Sequence, residues 1–136
     1  NLQIDSSPEI LTHFARMSQV HAQLAPYVRA VCDEAVAIGL PLQRPLFLHY
    51  DDPEYHDIQD QYLYGADMIV APVVEEGYES RLVMLPQGAW VHLWTGALYG
   101  KGTHDIAAPH GQPPVFTRQD SAHADLFASI RAAFGA

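Results

Sequence analysis

The stretch from Leu42 to Val74 constrains this chain more than any other. It opens with an apolar run, Leu42–Leu48, and turns through the acidic, proline-punctuated Asp51-Asp52-Pro53. A polar helical stretch is expected from there to Gln61, and a second apolar run, Met68–Val74, closes it. A near-continuous apolar run suits a strand buried on both faces, and such strands belong to parallel sheets covered by helices. Leu42–Leu48 is therefore expected to be a buried strand of an α/β layer.

The residues before it fit that layer. Ser6-Ser7-Pro8-Glu9 reads as a helix start, with Ser7 able to accept a hydrogen bond from a first-turn amide and Pro8 suited to the first helical position. Ile10, Phe14, Met17, His21, Leu24, Val28, Val31, Ala35 and Ile38 recur in steps of three and four, which makes one helix face. Pro26 cannot donate to the carbonyl of Ala22, so the spacing predicts a helix over 8–38 disrupted near residue 26. Gly39 is suited to the left-handed cap that ends it, and Pro41 blocks its resumption. Such a helix needs a surface to lie on.

After Val74 the texture changes. Short apolar segments, Ser80–Leu85, Ala89–Trp94, Ala97–Tyr99, Thr103–Ala107 and Pro114–Arg118, alternate with Gly- and Pro-rich breaks. That spacing predicts antiparallel strands in a β-sandwich or small barrel. Thr95-Gly96 suits a two-residue hairpin turn. Asp120-Ser121 suits the start of a last helix whose apolar face is Leu126, Phe127, Ile130 and Phe134.

Charge and length limit the function. With 16 acidic against 7 basic residues in 136, the net charge is −9, which argues against nucleic acid and anionic membranes as partners. No apolar run reaches the roughly 18 residues of a membrane span. The first residues lack the pattern of a signal peptide, and the missing initiator Met suggests a processed or excised chain. The single cysteine, Cys32, fits a reducing, cytoplasmic setting and is expected to be a small buried side chain.

Two sets of residues carry a family resemblance. Arg44-Pro45-Leu46-Phe47 and Gln61–Val73 form the first. Leu85-Pro86-Gln87-Gly88-Ala89-Trp90 with Trp94-Thr95-Gly96, followed by Pro114–Arg118, forms the second. Together they resemble the C-terminal part of glycoside hydrolase family 31, the α-glucosidase family, and within it the bacterial sulfoquinovosidase group. The segment after Arg118, Gln119-Asp120-Ser121 and then a helix, departs from the plain α-glucosidase pattern toward that group.

The resemblance implies a fold of two parts. Residues 1–60 would be the last helix and strand of a catalytic (β/α)8 barrel, and residues 61–136 a proximal antiparallel β-sandwich domain with a terminal helix. It implies a retaining hydrolase of α-glycosides that uses no cofactor. Its partners would be the remainder of the barrel and, through the whole enzyme, the glycoside substrate; a homo-oligomer is allowed. A different class of function remains beside it, a noncatalytic carbohydrate-binding or interaction module.

Retaining glycosidases need two carboxyl groups roughly 5–5.5 Å apart. The family's catalytic Asp motifs are not found here, so no catalytic residue is assigned within the chain. Asp51 and Asp52 are expected to form the turn and cap ahead of Pro53. If Leu42–Leu48 ends at a barrel mouth, His49, Tyr50 and Asp51 stand at the rim of the substrate pocket. Arg44, inside an apolar run, should be paired or hydrogen-bonded, in a structural ion pair rather than a substrate contact. The eight histidines show no zinc spacing, so no metal site is expected, and His92 is placed on a polar strand face. Trp90 and Trp94, four apart, would share a strand face as core or as a sugar-stacking platform.

Overall fold

The computed structural model describes Gln3 and residues 5–135. Two helices open it, α1 (Pro8–Gln23) and α2 (Ala25–Ile38). Ser7 Oγ accepts from the Ile10 amide at 3.2 Å, so the expected cap forms. The break at Leu24 comes just ahead of Pro26, as the missing amide requires. Gly39, at φ 73°, ends α2 in the left-handed region.

The single apolar stripe does not survive this break. The buried residues are Val20 on α1 and Tyr27 and Val31 on α2, while Phe14, His21 and Ile38 are exposed. A periodicity carried through Pro26 assumes one helix axis; two axes each choose their own inward face. Cys32 is half-buried rather than enclosed.

The run Leu42–Leu48 is not a parallel strand. Only Gln43–Arg44 is extended (β1), and Leu46–Leu48 is a turn of 3-10 helix. Pro45 explains the change, because it removes a ladder donor and fixes φ at −65° at the entrance of that turn. The polar stretch toward Gln61 likewise holds one short 3-10 turn, Pro53–Tyr55. The aromatic segment after Gln61, Tyr62–Tyr64, is a strand (β2).

The remaining strands are β3 (Met68–Val70), β4 (Ser80–Leu85), β5 (Trp90–His92), β6 (Leu98–Tyr99), β7 (Gly102–Ala107) and β8 (Val115–Arg118), followed by α3 (Ala124–Phe134). Six form one sheet in the order β1-β2-β3-β8-β5-β6, every pair antiparallel. The other two, β4 and β7, form a second antiparallel pair from Ser80↔Ala107 to Leu85↔Gly102. The large sheet lies between two cores. One joins Leu63, Ile69, Trp90 and Phe116 to Val83, Leu85 and Ile106 of the small sheet. The other joins Met68, Val115 and Trp94 to Val20, Tyr27 and Val31 of the first helices and Phe127 and Ile130 of α3. The layers are thus helices, six-stranded sheet and two-stranded sheet, a β-sandwich with one outer face roofed by helices.

The two tryptophans go to opposite cores. The expected two-residue hairpin at Thr95-Gly96 is a four-residue loop, Leu93–Gly96, closed by the Gly96 amide on the His92 carbonyl at 2.8 Å. Trp94 therefore lies beyond the strand and swings toward the helices, where its Nε1 donates to the Pro113 carbonyl at 2.8 Å and the Arg16 guanidinium covers its ring. Trp90 stays in β5 on the small-sheet side and donates to the Pro86 carbonyl at 2.9 Å. Relative exposure is 0% for Trp90 and 2% for Trp94. Neither ring offers a face to a sugar.

The β2–β3 turn locks the helical layer on. Gly65, at φ 65°, lets the turn come so close to α2 that an added Cβ would stand 2.6 Å from both the Tyr27 hydroxyl and Val31 Cγ2. The Tyr27 hydroxyl donates to the Tyr64 carbonyl and accepts from the Asp67 amide. Gly65→Ala should lower stability by about 2–4 kcal/mol, combining left-handed strain with overpacking. Trp90→Ala should lower it by about 3–5 kcal/mol. Urea melts check both, and an unchanged midpoint for Trp90→Ala would contradict its place in the core.

Candidate functional site

The rim candidates follow directly from the turn that Pro45 creates. After Leu46–Leu48, the His49 and Tyr50 amides both bond to the Leu46 carbonyl, at 3.2 and 3.0 Å. This curls the chain so that the three side chains diverge.

His49 turns toward Arg44. The Arg44 side chain is fully buried; its Nε donates to the Pro41 carbonyl at 2.7 Å and its Nη1 lies 3.1 Å from Glu34 Oε1. The expected ion pair is present, joining β1 to α2. The same Nη1 lies 3.0 Å from His49 Nε2. Guanidinium only donates, so Nε2 is the acceptor and His49 is neutral there. Burial first, and the Arg44 charge second, push its pKa below the ordinary 6.5.

Tyr50 turns the other way, to Arg118 at the end of β8. Arg118 Nη1 donates to the Tyr50 hydroxyl at 3.1 Å, while Nε and Nη2 grip Asp120 at 3.0 and 3.2 Å. The Tyr50 ring meets Trp90 edge-on, with centroids 6.3 Å apart. Burial raises the Tyr50 pKa, with Arg118 opposing, so the hydroxyl stays protonated at neutral pH. Arg118 holds the exposed Asp120 carboxyl below the usual carboxylate range. Asp51 remains in solvent, 3.4 Å from His56 Nε2. Asp52 does the capping, its Oδ1 accepting from the Glu54 amide at 3.2 Å.

His49 and Tyr50 are thus held by two different arginines, and Asp51 joins neither. Two further carboxylates are also engaged. Asp60 pairs with Arg81 at 3.1 Å, and Asp67 accepts from Ser121 Oγ at 2.6 Å. Among the described residues, no group of three or more His, Cys, Asp or Glu could hold a metal ion. Arg118 is the participant that sequence reasoning passed over. A charged residue closing the buried run Val115-Phe116-Thr117 was the signal that could have marked it.

His92 is on a core face, not a polar one. It is 6% exposed, beside Phe116, with Nδ1 2.8 Å from Thr95 Oγ1 and Nε2 without a partner. The alternation of β5 places it on the same side as Trp90, which the sequence could not orient. Burial, with the Arg131 charge as the lesser cause, pushes its pKa below 6.5.

This geometry, a helix-roofed antiparallel sandwich, has counterparts among known proteins. Residues 39–122 match the family model of the glycosyl hydrolase family 31 C-terminal domain. The chain belongs to glycoside hydrolase family 31. It is 49% identical over 134 residues to a sulfoquinovosidase of Agrobacterium fabrum (strain C58), and 48% identical over 136 residues to one of Escherichia coli (strain K12). Each alignment takes in 96% of this chain and 20% of the relative. A family 31 sulfoquinovosidase from E. rectale, solved with the aza-sugar inhibitor IFGSQ, superposes over all of this chain and 20% of that one, with TM-score 0.97 and 42% identity. A family 31 α-xylosidase from a soil metagenome, complexed with xylose, gives TM-score 0.87 and 37% identity over 93% of this chain. The chain therefore spans about a fifth of the length of these relatives.

Lowered pKa values at His49 and His92 set a sign for acid stability. Below about pH 6.5 the unfolded chain binds protons that the folded chain resists, so stability falls as pH falls. The urea midpoint should hold above about pH 7 and decline toward pH 5. His92→Gln should flatten that decline. A midpoint independent of pH across this window would contradict a neutral, buried His92.

Proposed function

We propose that this chain is the bracing C-terminal part of a retaining α-glycoside hydrolase that acts on sulfoquinovosides. The observation that carries bracing over a sugar-binding module is the burial of Trp90 and Trp94 in two separate cores. The substrate class is supported by the identity to two sulfoquinovosidases over nearly the whole chain. In this reading the catalytic carboxylates lie outside the chain and no cofactor takes part. The single free cysteine fits a cytoplasmic setting. No helix of the described residues is long and apolar enough to cross a membrane.

Helices α1 and α2 would be the element that meets the catalytic barrel, and the chain from Gly39 onward the brace. In this reading the division falls earlier than residue 60, which the pairing of β1 with the large sheet and the start of the family match at residue 39 support. Leu11 and Phe14 on α1 and Val36 and Ile38 on α2 are exposed, Val36 at 89%. In this reading the remainder of the barrel covers them.

His49, Tyr50 and Asp51 would stand at the pocket rim and act through its shape. Arg44 donates to His49 Nε2 and Arg118 to the Tyr50 hydroxyl, so both side chains are held in place. In the full-length enzyme, Tyr50→Phe should keep kcat on an α-sulfoquinovoside within about threefold, under ~1 kcal/mol of barrier. A loss of about 1000-fold would instead make Tyr50 a participant in the chemistry.

The isolated chain should hydrolyse neither a chromogenic α-sulfoquinovoside nor a chromogenic α-glucoside, whereas the full-length enzyme should turn over the former. The isolated chain should also self-associate through its exposed helix residues, measured as its mass in solution. Turnover by the isolated chain that Asp51→Asn abolishes would overthrow the assignment of catalysis to the barrel.

A further inference from the structure

A concave surface lies where the two sheets meet at the start of β4. It encloses about 380 Å³ between the segment ahead of β2, the loop after β3 and the outer side of the small sheet. Small-molecule sites begin at roughly 300 Å³. Val74, Tyr78 and Leu82 line it and are 71%, 62% and 64% exposed. Three large apolar side chains thus stand open to solvent around one cleft.

Its polar groups are of both kinds. Arg81 is nearly enclosed and rigidly held. Its Nη1 donates to the Asp60 and Pro72 carbonyls, each at 2.7 Å, its Nη2 pairs with Asp60 Oδ2 at 3.1 Å, and its Nε donates to the Leu82 carbonyl at 3.1 Å. A guanidinium carries five N–H donors. These contacts use four, and the second N–H of Nη2 remains. Asp105 lines the same cleft, on β7 directly opposite Leu82.

We infer that this cleft is a binding site for a neutral glycosyl unit. A pyranose ring has an apolar C–H face and a rim of hydroxyls that both donate and accept. Tyr78 offers an aromatic face, Asp60 and Asp105 accept from hydroxyls, and Arg81 Nη2 donates to one. A sulfonated sugar is disfavoured, because the carboxylates of Asp60, Glu75 and Asp105 outnumber the one guanidinium. The choice of a sugar as ligand rests on the glycosidase reading; the composition of the cleft does not.

The test is titration of the full-length protein with isomaltotriose, followed by saturation-transfer NMR, beside the chromogenic sulfoquinovoside assay. Saturable binding should be seen, weakened at least tenfold by Tyr78→Ala and by Asp105→Asn, with turnover unchanged in both variants. Both side chains are exposed, so neither change should unfold the protein, and a melt confirms this. Absence of saturable binding would overturn the inference. So would binding that Tyr78→Ala leaves intact, binding that a sulfoquinovoside displaces, or binding of a Lys-rich peptide in place of the sugar. Failure of the glycosidase reading would appear separately, as absent turnover in the chromogenic assay.

Discussion

Burial of both faces of one antiparallel sheet is the constraint on which everything else depends. Along β3 and β8 the side chains alternate between two cores. Ile69 and Phe116 point to the small sheet, and Met68 and Val115 to the helices. A slip of one residue in the Ile69↔Phe116 register would exchange the two sets. Because both faces are apolar, such a slip costs packing shape rather than exposure, so register must be fixed elsewhere. Gly65 and the Tyr27 hydroxyl fix it at one end of β3, and Arg118, whose amide bonds to the Asp67 carbonyl at 2.8 Å, fixes it at the end of β8.

Two arginine-centred groups, the buried one at Arg44 and the partly exposed one at Arg118, extend the same logic to the candidate rim. Arg44 ties β1 to α2 through Glu34, and Arg118 ties β8 to the Tyr50 turn. Each holds one rim side chain as a by-product of holding the fold. That holds His49 and Tyr50 in fixed positions.

The small sheet is built differently. Its outer edge along β4 meets the Gln61 carboxamide, which accepts from the Met84 amide at 2.9 Å and donates to the Met84 carbonyl at 2.6 Å. The side chain imitates a neighbouring strand for one residue pair and leaves less open edge for unwanted pairing. Further along the same edge, Arg81 makes its contacts with Asp60 and Pro72. The cleft beside Tyr78 exists because this seam is closed by side chains rather than by another strand.

Local chemistry made much of this protein legible in its sequence. Ser7, Pro26 and Gly39 bounded the helices, Gly and Pro spaced the strands after Val74, and the Leu-Pro-Gln-Gly and Trp-Thr-Gly segments carried the family. These signals work because each acts within a few residues of where it stands. Tertiary structure decided the rest. An apolar run such as Leu42–Leu48 records burial but not strand direction, and Pro45 divided it between an antiparallel edge and a 3-10 turn. The four-residue spacing of Trp90 and Trp94 promised one face only while the strand continued, and the loop closed by Gly96 sent the rings to opposite cores. Which way β5 faces, and so whether His92 meets water or Phe116, depends on residues more than twenty positions away. Alternation along a strand gives two faces, and only the neighbouring layers determine which of them each face meets.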